Sequence, residues 1–465
     1  MRGVVIRLIL GFVPGFVFFG SVLAQSKPVA ATTEFVPVPA DESLLNKLSN
    51  GYQSDYKEEL THLPSVNKKD YEDIYDERWK SIKERFDKQE IYTDPAAQAY
   101  LDALVAEIVS RNPVLKATPF HCYFSRSRVP NAEYIGEGII LINMGLFDRL
   151  SDESQVAFIL CHEISHFVLH HQENSIVKQV ETLNSPEFQA KLKAIQHSEY
   201  NKRAEVEGLV KGFAFDSRRH SRDHEAQADS MAVVLMRATR FDLNGALGTL
   251  ALLDTVDKDD FNLAAFLQLT FNSTGYPFKK KWLKKEEGLM GGHVQLEQSE
   301  LSDSLKTHPS CPLRIKLLTP MVQSWNTPGR MKNVIDFSRF DELRERFKYE
   351  VIEYAYVSED YSGNLFYSLE LLRDRPNDPY LIAGIGRALN GIYEAQKGHR
   401  LSKVVDLPGP EYAANYNLLL QFIQNLYLED LASITYNFLT PWHPRLDHLT
   451  VFKTAYEQSA KTAAL

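Results

Sequence analysis

The chain has 465 residues, of which 44% are hydrophobic and 24% are charged, so its composition is that of a globular protein and excludes gross disorder and collagen-like repetition. At roughly 100–200 residues per domain, this length predicts two or three folded units. The 52 basic and 61 acidic residues give a net charge of −9 without a long basic run, which argues against nucleic acid as a partner.

The first 24 residues predict a secretory signal peptide. Arg2 and Arg7 precede the apolar run 8–19, and Val22 and Ala24 place small residues at the usual cleavage positions. Cleavage after Ala24 leaves an exported chain, either periplasmic or secreted. The alternative is an uncleaved membrane anchor, but the run is short for a bilayer span. No later segment is long and apolar enough to cross a membrane.

Residues 25–92 predict an N-terminal extension that is partly helical, with dense charge, a few anchoring aromatic side chains and no assigned chemistry. The domain that follows, 93–325, begins with a helix near Asp94 and Pro95, where helical spacing of apolar residues starts. Two runs rich in aromatic and branched residues, 120–124 and 138–143, predict strands. Residues 130–132 between them predict a turn.

An apolar helix is predicted from an N-cap at Ser151 to about His171, and it contains an H-E-x-x-H motif at 162–166. His162 and His166 lie one turn apart on the same face, so both imidazoles can reach one metal ion while Glu163 lies beside it. In a metallopeptidase, zinc polarises a water molecule and the scissile carbonyl, and the glutamate accepts the water proton. The motif therefore predicts a site for one zinc ion per chain.

A catalytic zinc site needs a third protein ligand. The pattern that supplies a third histidine on the same stretch requires glycine and histidine at positions that here hold Leu169 and Gln172. Metallopeptidases that use this three-histidine pattern are therefore excluded. His170 and His171 are left either as neighbours of the ligands or as surface histidines.

An acidic pair on a second predicted helix offers the missing ligand. Glu225 can bind zinc, and Asp229, one turn later, can accept a hydrogen bond from a ligand imidazole. The flanking alanines allow this helix to approach the first closely. Glu187 is the second candidate ligand, but Lys191 occupies the place where its supporting acid would lie.

Three motifs in this order resemble the signatures of family M48 metallopeptidases. They are His162-Glu163-x-x-His166, Glu225-x-x-Ala228-Asp229, and Thr307-His308-Pro309 followed by Arg314. The stretch from Pro130 to Leu146 also resembles the family's strand and turn before the catalytic helix. Glu133, Tyr134 and Glu137 depart from the usual small or apolar residues there. The resemblance covers about residues 95–325.

The resemblance implies an α+β fold, a mainly helical zincin-like metallopeptidase domain with a small sheet. It implies a zinc endopeptidase with His162, His166 and Glu225 as ligands and Glu163 as the general base. The strand at 139–143 is expected to form the upper rim of the cleft and to pair with extended peptides. His308 is expected near the zinc, as an inhibitory ligand or a charge stabiliser, or else as a cap of the next helix. Arg314 is expected to pair with an acid.

Residues 326–465 predict an α-helical C-terminal domain. Residues 361–372, a proline turn at 376–379 and residues 380–397 resemble one junction between tetratricopeptide repeats, whereas at least three repeats are usually needed for stability. An irregular helical bundle is the alternative. Either form offers a groove for a protein partner.

We therefore predict an exported metalloendopeptidase that cleaves unfolded or extended polypeptides. Exported bacterial relatives with helical repeats act in envelope protein quality control, which the resemblance extends to this chain. The alternative is a chaperone or scaffold without enzymatic activity, with a closed zinc site and a helical binding domain.

Overall fold

The computed structural model describes residues 35–197, 222–256, 261–284, 310–409 and 412–464. The predicted signal peptide and His308 lie outside these residues. In chain order the helices are α1 (Glu42–Thr61), α2 (Lys68–Asp87), α3 (Pro95–Arg111), α4 (Met144–Phe147), α5 (Glu153–Val168), α6 (His171–Leu183), α7 (Pro186–His197), α8 (222–238), α9 (Asn244–Leu253), α10 (Leu263–Phe271), α11 (Cys311–Trp325), α12 (Phe337–Val357), α13 (Tyr361–Asp374), α14 (Pro379–Lys397), α15 (Ala414–Gln424), α16 (Leu428–Leu439), α17 (His443–Leu446) and α18 (Thr450–Ala463).

A three-stranded sheet lies beside these helices, formed by β1 (His121–Ser125), β2 (Ala132–Gly136) and β3 (Ile139–Asn143). The strand order is β1-β3-β2, with β1 parallel and β2 antiparallel to β3. This arrangement confirms the predicted α+β class, mainly helical with a small sheet. None of the described helices has the length and apolar character needed to span a bilayer.

The position of β3 corrects the prediction that this strand forms the rim of the cleft. β3 is the central strand and pairs on both sides, so neither edge remains for a peptide. The edge strand next to α5 is β2, and the sequence did not predict it. Its residues include Glu133 and Tyr134, whose polar groups hide the apolar alternation on which strand prediction depends.

The two faces of β3 belong to two separate hydrophobic clusters. Ile140 and Ile142 pack into the large core that includes α3 and α5. Ile139 and Leu141 face the opposite way and pack with Trp79 and other side chains of the N-terminal helix pair α1–α2. The predicted N-terminal extension therefore covers one face of the sheet, because alternate residues of a buried strand each need an apolar partner.

Arg78 of α2 fixes the turn between β2 and β3. Both central residues of the turn have positive φ, 52° at Glu137 and 71° at Gly138, as a type I′ hairpin turn requires. Positive φ is costly for a glutamate. Nη2 of Arg78 donates to Glu137 Oε1 and to Glu59 Oε2, both at 2.6 Å. These partly buried contacts offset the cost and join the helix pair α1–α2 to the edge strand.

The shared arginine predicts a pH dependence of stability. Burial, opposed by Arg78 and reinforced by Glu59, raises the pKa of Glu137 to about 7 from its usual 4.5. The folded state then binds more protons than the unfolded state between these values, so this group's contribution to the free energy of unfolding falls as pH rises. We expect Glu137→Gln to flatten the decline of Tm between about pH 5 and 8. Exposed Glu58→Gln is the control, and parallel curves for the native chain and Glu137→Gln would contradict the prediction.

The helical region after residue 326 packs against the end of the sheet. Arg126, just after β1, donates from Nη1 to Glu350 Oε2 of α12 at 2.8 Å, and both side chains are buried. The predicted helix, turn and helix at 361–397 are confirmed as α13 and α14, with Asp378 capping α14 through the N–H groups of its first turn. Kinship to tetratricopeptide repeats stays a prediction.

Candidate metal centre

Helix α5 carries the H-E-x-x-H residues and is buried along almost its whole length. Its N-cap is Asp152, whose side chain accepts the backbone N–H of Gln155. The prediction of Ser151 as the cap was one residue early, because Ser151 and Asp152 are both good capping residues and sequence alone does not choose between them. From this start, His162 and His166 project from one face of the helix.

Two imidazoles and one carboxylate converge between α5 and α8. Nε2 of His162 lies 3.4 Å from Oε2 of Glu225, and Nε2 of His166 lies 3.3 Å from Oε1. The two Nε2 atoms are 3.1 Å apart. The structure therefore brings together the three side chains that were predicted as metal ligands.

The chemistry of these atoms fits a divalent metal. The three ligand atoms lie within 4.8 Å of one another. In neutral imidazoles that carry their proton on Nδ1, both Nε2 atoms are acceptors, and the carboxylate is an acceptor too. Three acceptors that face one another repel unless a cation lies between them. Nitrogen and oxygen ligands of this kind are those that zinc takes in catalytic sites.

Asp229 and Arg314 support this group from behind. Arg314 donates to Asp229 from Nε at 2.7 Å and from Nη2 at 2.6 Å, which confirms that Arg314 pairs with an acid. Oδ1 of Asp229 lies 3.1 Å from Nδ1 of His162, off the line of the ring N–H. Burial alone would lower the pKa of His162, but the carboxylates of Asp229 and Glu225 raise it to about 10. When Nε2 of His162 binds a metal, the nearby Asp229 carboxylate favours a proton on Nδ1.

Glu163 lies against the edge strand. Its Oε2 accepts the backbone N–H of Tyr134 at 2.8 Å, so this N–H points away from β3 and towards α5. Burial raises the pKa of Glu163, while His162 and His166 oppose the rise. The contact holds the carboxylate beside the two imidazoles, between α5 and β2.

His171 was predicted as either a neighbour of the ligands or a surface residue, and the structure makes it a neighbour. It is buried, and its Nδ1 lies 3.0 Å from Nδ1 of His166. Its Nε2 lies 3.1 Å from Oε1 of Gln227 on α8. Burial, reinforced by His166 and His224, lowers the pKa of His171 to about 4. The predicted helix extended through this residue, so the sequence did not show that the chain turns before it.

The other candidates are placed differently. Glu187 lies on α7 with an exposed side chain, and its Oε1 is 2.7 Å from Lys191 Nζ. It is not part of the group formed by the two histidines and Glu225. His308 is outside the described residues, and its three possible roles stay predictions.

Comparisons with known proteins agree with this geometry. Residues 95–322 match the sequence model of peptidase family M48. The chain is similar to the putative beta-barrel assembly-enhancing protease of Vibrio cholerae serotype O1, with 28% identity over 161 residues, which are 34% of this chain and 32% of that protein. It is also similar to the beta-barrel assembly-enhancing protease of Escherichia coli K12, with 30% identity over 89 residues, 19% of this chain and 18% of that protein. The chain thus matches about a third or less of these relatives.

Proposed function

Because residues 95–322 form a domain of peptidase family M48, we propose that this chain is a zinc-dependent metalloendopeptidase. In this proposal His162, His166 and Glu225 hold one zinc ion, and Glu163 is the general base. The observation that supports it most strongly is the convergence of the two Nε2 atoms and the Glu225 carboxylate within 3.4 Å of one another.

The residues around the site have separate roles in the proposed reaction. The chemistry that zinc supplies in such a site is Lewis acidity towards a water molecule and a peptide carbonyl. Glu163 accepts the water proton and delivers it to the leaving amine. The N–H of Tyr134 holds one oxygen of Glu163, which leaves the other oxygen to handle the proton. Asp229, held by Arg314, orients His162.

Unfolded or extended polypeptides are the proposed substrates. The antiparallel pairing of β2 with β3 uses one side of β2, and its other side faces α5, which carries Glu163. A peptide that lies along this side in extended form would pass the base with its backbone. Recognition through the backbone favours substrates by their lack of structure more than by their side chains.

We further propose that the chain acts outside the cytoplasm, in the periplasm or as a secreted protein, in the quality control of envelope proteins. Two observations support this proposal, the signal peptide predicted at residues 1–24 and the similarity to proteins named beta-barrel assembly-enhancing proteases. The helical region after residue 326 is the candidate surface for a protein partner.

Cleavage of casein by the purified chain tests the proposed activity. We expect cleavage to be inhibited by phenanthroline and restored by added zinc, with one zinc bound per chain, because removal of the metal leaves only protein groups that cannot activate water alone. Metal analysis and gel assays of casein fragments give the two readouts. A chain that binds no zinc, or that cleaves casein equally well in phenanthroline, would contradict the proposal.

A further inference from the structure

A bend in the backbone brings His171 to the ligand His166. Helix α5 ends at Val168, and His170 has a φ of 53°, in the left-handed region in which helices commonly end. The chain then starts α6 at His171 in a new direction. As a result, the His171 ring is perpendicular to the His166 ring, with centroids 4.9 Å apart and an interplanar angle of 77°.

The hydrogen bonds of this ring agree with only one arrangement of protons when His166 binds a metal through Nε2. A neutral imidazole carries one N–H, so the His166 proton is then on Nδ1. The atom 3.0 Å away, Nδ1 of His171, must be the acceptor. The His171 proton is therefore on Nε2, where Oε1 of Gln227 accepts it at 3.1 Å. Each ring N–H in this series of hydrogen bonds therefore has an acceptor.

The same contacts join the two helices that carry the proposed ligands. Gln227 and His224 lie on α8, on either side of the ligand Glu225. The His171 ring stacks on the His224 ring, with centroids 4.2 Å apart and an interplanar angle of 5°. His171 therefore touches α8 at two points while it holds the ligand of α5.

We propose that His171 is a positioning residue that accepts the Nδ1 proton of His166 and fixes the orientation and tautomer of this ligand. Asp229 stands in the matching place beside His162, with its Oδ1 3.1 Å from Nδ1 of that ligand. Contacts of this kind typically change metal affinity by about 10–100-fold. The inference rests on the proposed metal site and extends it to a residue beyond the three ligands.

Zinc affinity of the full chain, measured by competition with a chromophoric chelator, tests the proposal. We expect His171→Phe, which keeps a ring but has no acceptor, to weaken zinc binding by about 10–100-fold. We expect His171→Asn to recover most of the loss, because its side-chain oxygen can accept the His166 proton. His448→Phe is the control, because it makes the same exchange at an exposed histidine outside the group of ligands, and it should bind zinc within about twofold of the native chain.

Thermal unfolding in chelator shows whether the variants fold without metal, so that a change in affinity is separated from a change in packing. Native affinity in His171→Phe would overturn the proposal, as would an equal loss in His171→Asn and His171→Phe. Failure of the native chain to bind zinc would instead overturn the proposed metal site. The two failures are therefore distinguishable.

Discussion

Glu163→Gln is expected to bind zinc like the native chain and to lose casein cleavage by on the order of 10²–10⁴-fold, the usual contribution of a general base. Glutamine keeps the shape of the side chain and can still accept the N–H of Tyr134. It cannot take a proton from water. His166→Ala is expected to lose both zinc and cleavage, because it removes one of three ligands.

Glu187→Gln is the matched control for this pair. It removes one acidic group from an exposed helix of the same domain, where the carboxylate contacts only Lys191 among the described residues. We expect its zinc content and cleavage rate to equal those of the native chain. Native cleavage by Glu163→Gln would show that another group handles the proton, and loss of zinc in Glu187→Gln would revive the second candidate ligand.

The parts of this metal centre that the sequence predicted depend on residues that are close to each other in sequence. His162 and His166 are four residues apart on one helix, and Glu225 and Asp229 are four apart on another, so helical geometry alone sets each pair on one face. The meeting of the two helices was inferred only because an incomplete ligand set requires a third ligand. In the structure, α5 packs against β2 and α8, and this packing brings Glu225 to the two histidines.

The parts that were missed depend on contacts distant in sequence. The helix pair α1–α2 covers the sheet through residues such as Trp79. Because this segment carries many charges, the sequence predicted only a partly helical extension. The role of His171 follows from a single left-handed residue, His170, which local propensity does not indicate. The edge strand β2 includes Glu133, whose carboxylate pairs with Arg85 of α2. These cases share one physical cause, namely that a partner far along the chain overrides the local pattern.

Glu153 shows the same principle in the first turn of α5. An acidic residue in the first turn of a helix is favoured by the helix dipole, which contributes about 0.3–1 kcal/mol at a surface. In the structure the side chain is fully buried. It accepts the hydroxyl of Tyr100 at 3.1 Å and three consecutive backbone N–H groups, at Val334, Ile335 and Asp336, within 2.8 Å. This carboxylate thereby ties α5 to the segment that leads into the C-terminal helices.

Glu153→Ala is therefore expected to lower the free energy of unfolding by about 3–5 kcal/mol, because hydrogen bonds to a charged group contribute about 1.5–3 kcal/mol each and their donors would remain buried without acceptors. We expect Tm to fall by about 3–6 °C and proteolysis to begin in the segment 326–336. Glu153→Gln should show a similar fall, because its amide N–H₂ faces donors.

Glu342→Ala, which removes an exposed ion pair with Arg339, is the control and should change Tm by less than about 1 °C. A Tm for Glu153→Ala equal to that of this control would mean that the segment is held by its apolar contacts alone. Zinc binding by the surviving folded fraction of Glu153→Ala should stay close to native, since Glu153 lies nine residues before His162 and touches none of the ligands. The expected loss is thus one of stability and not of the metal site, which separates this residue from His171.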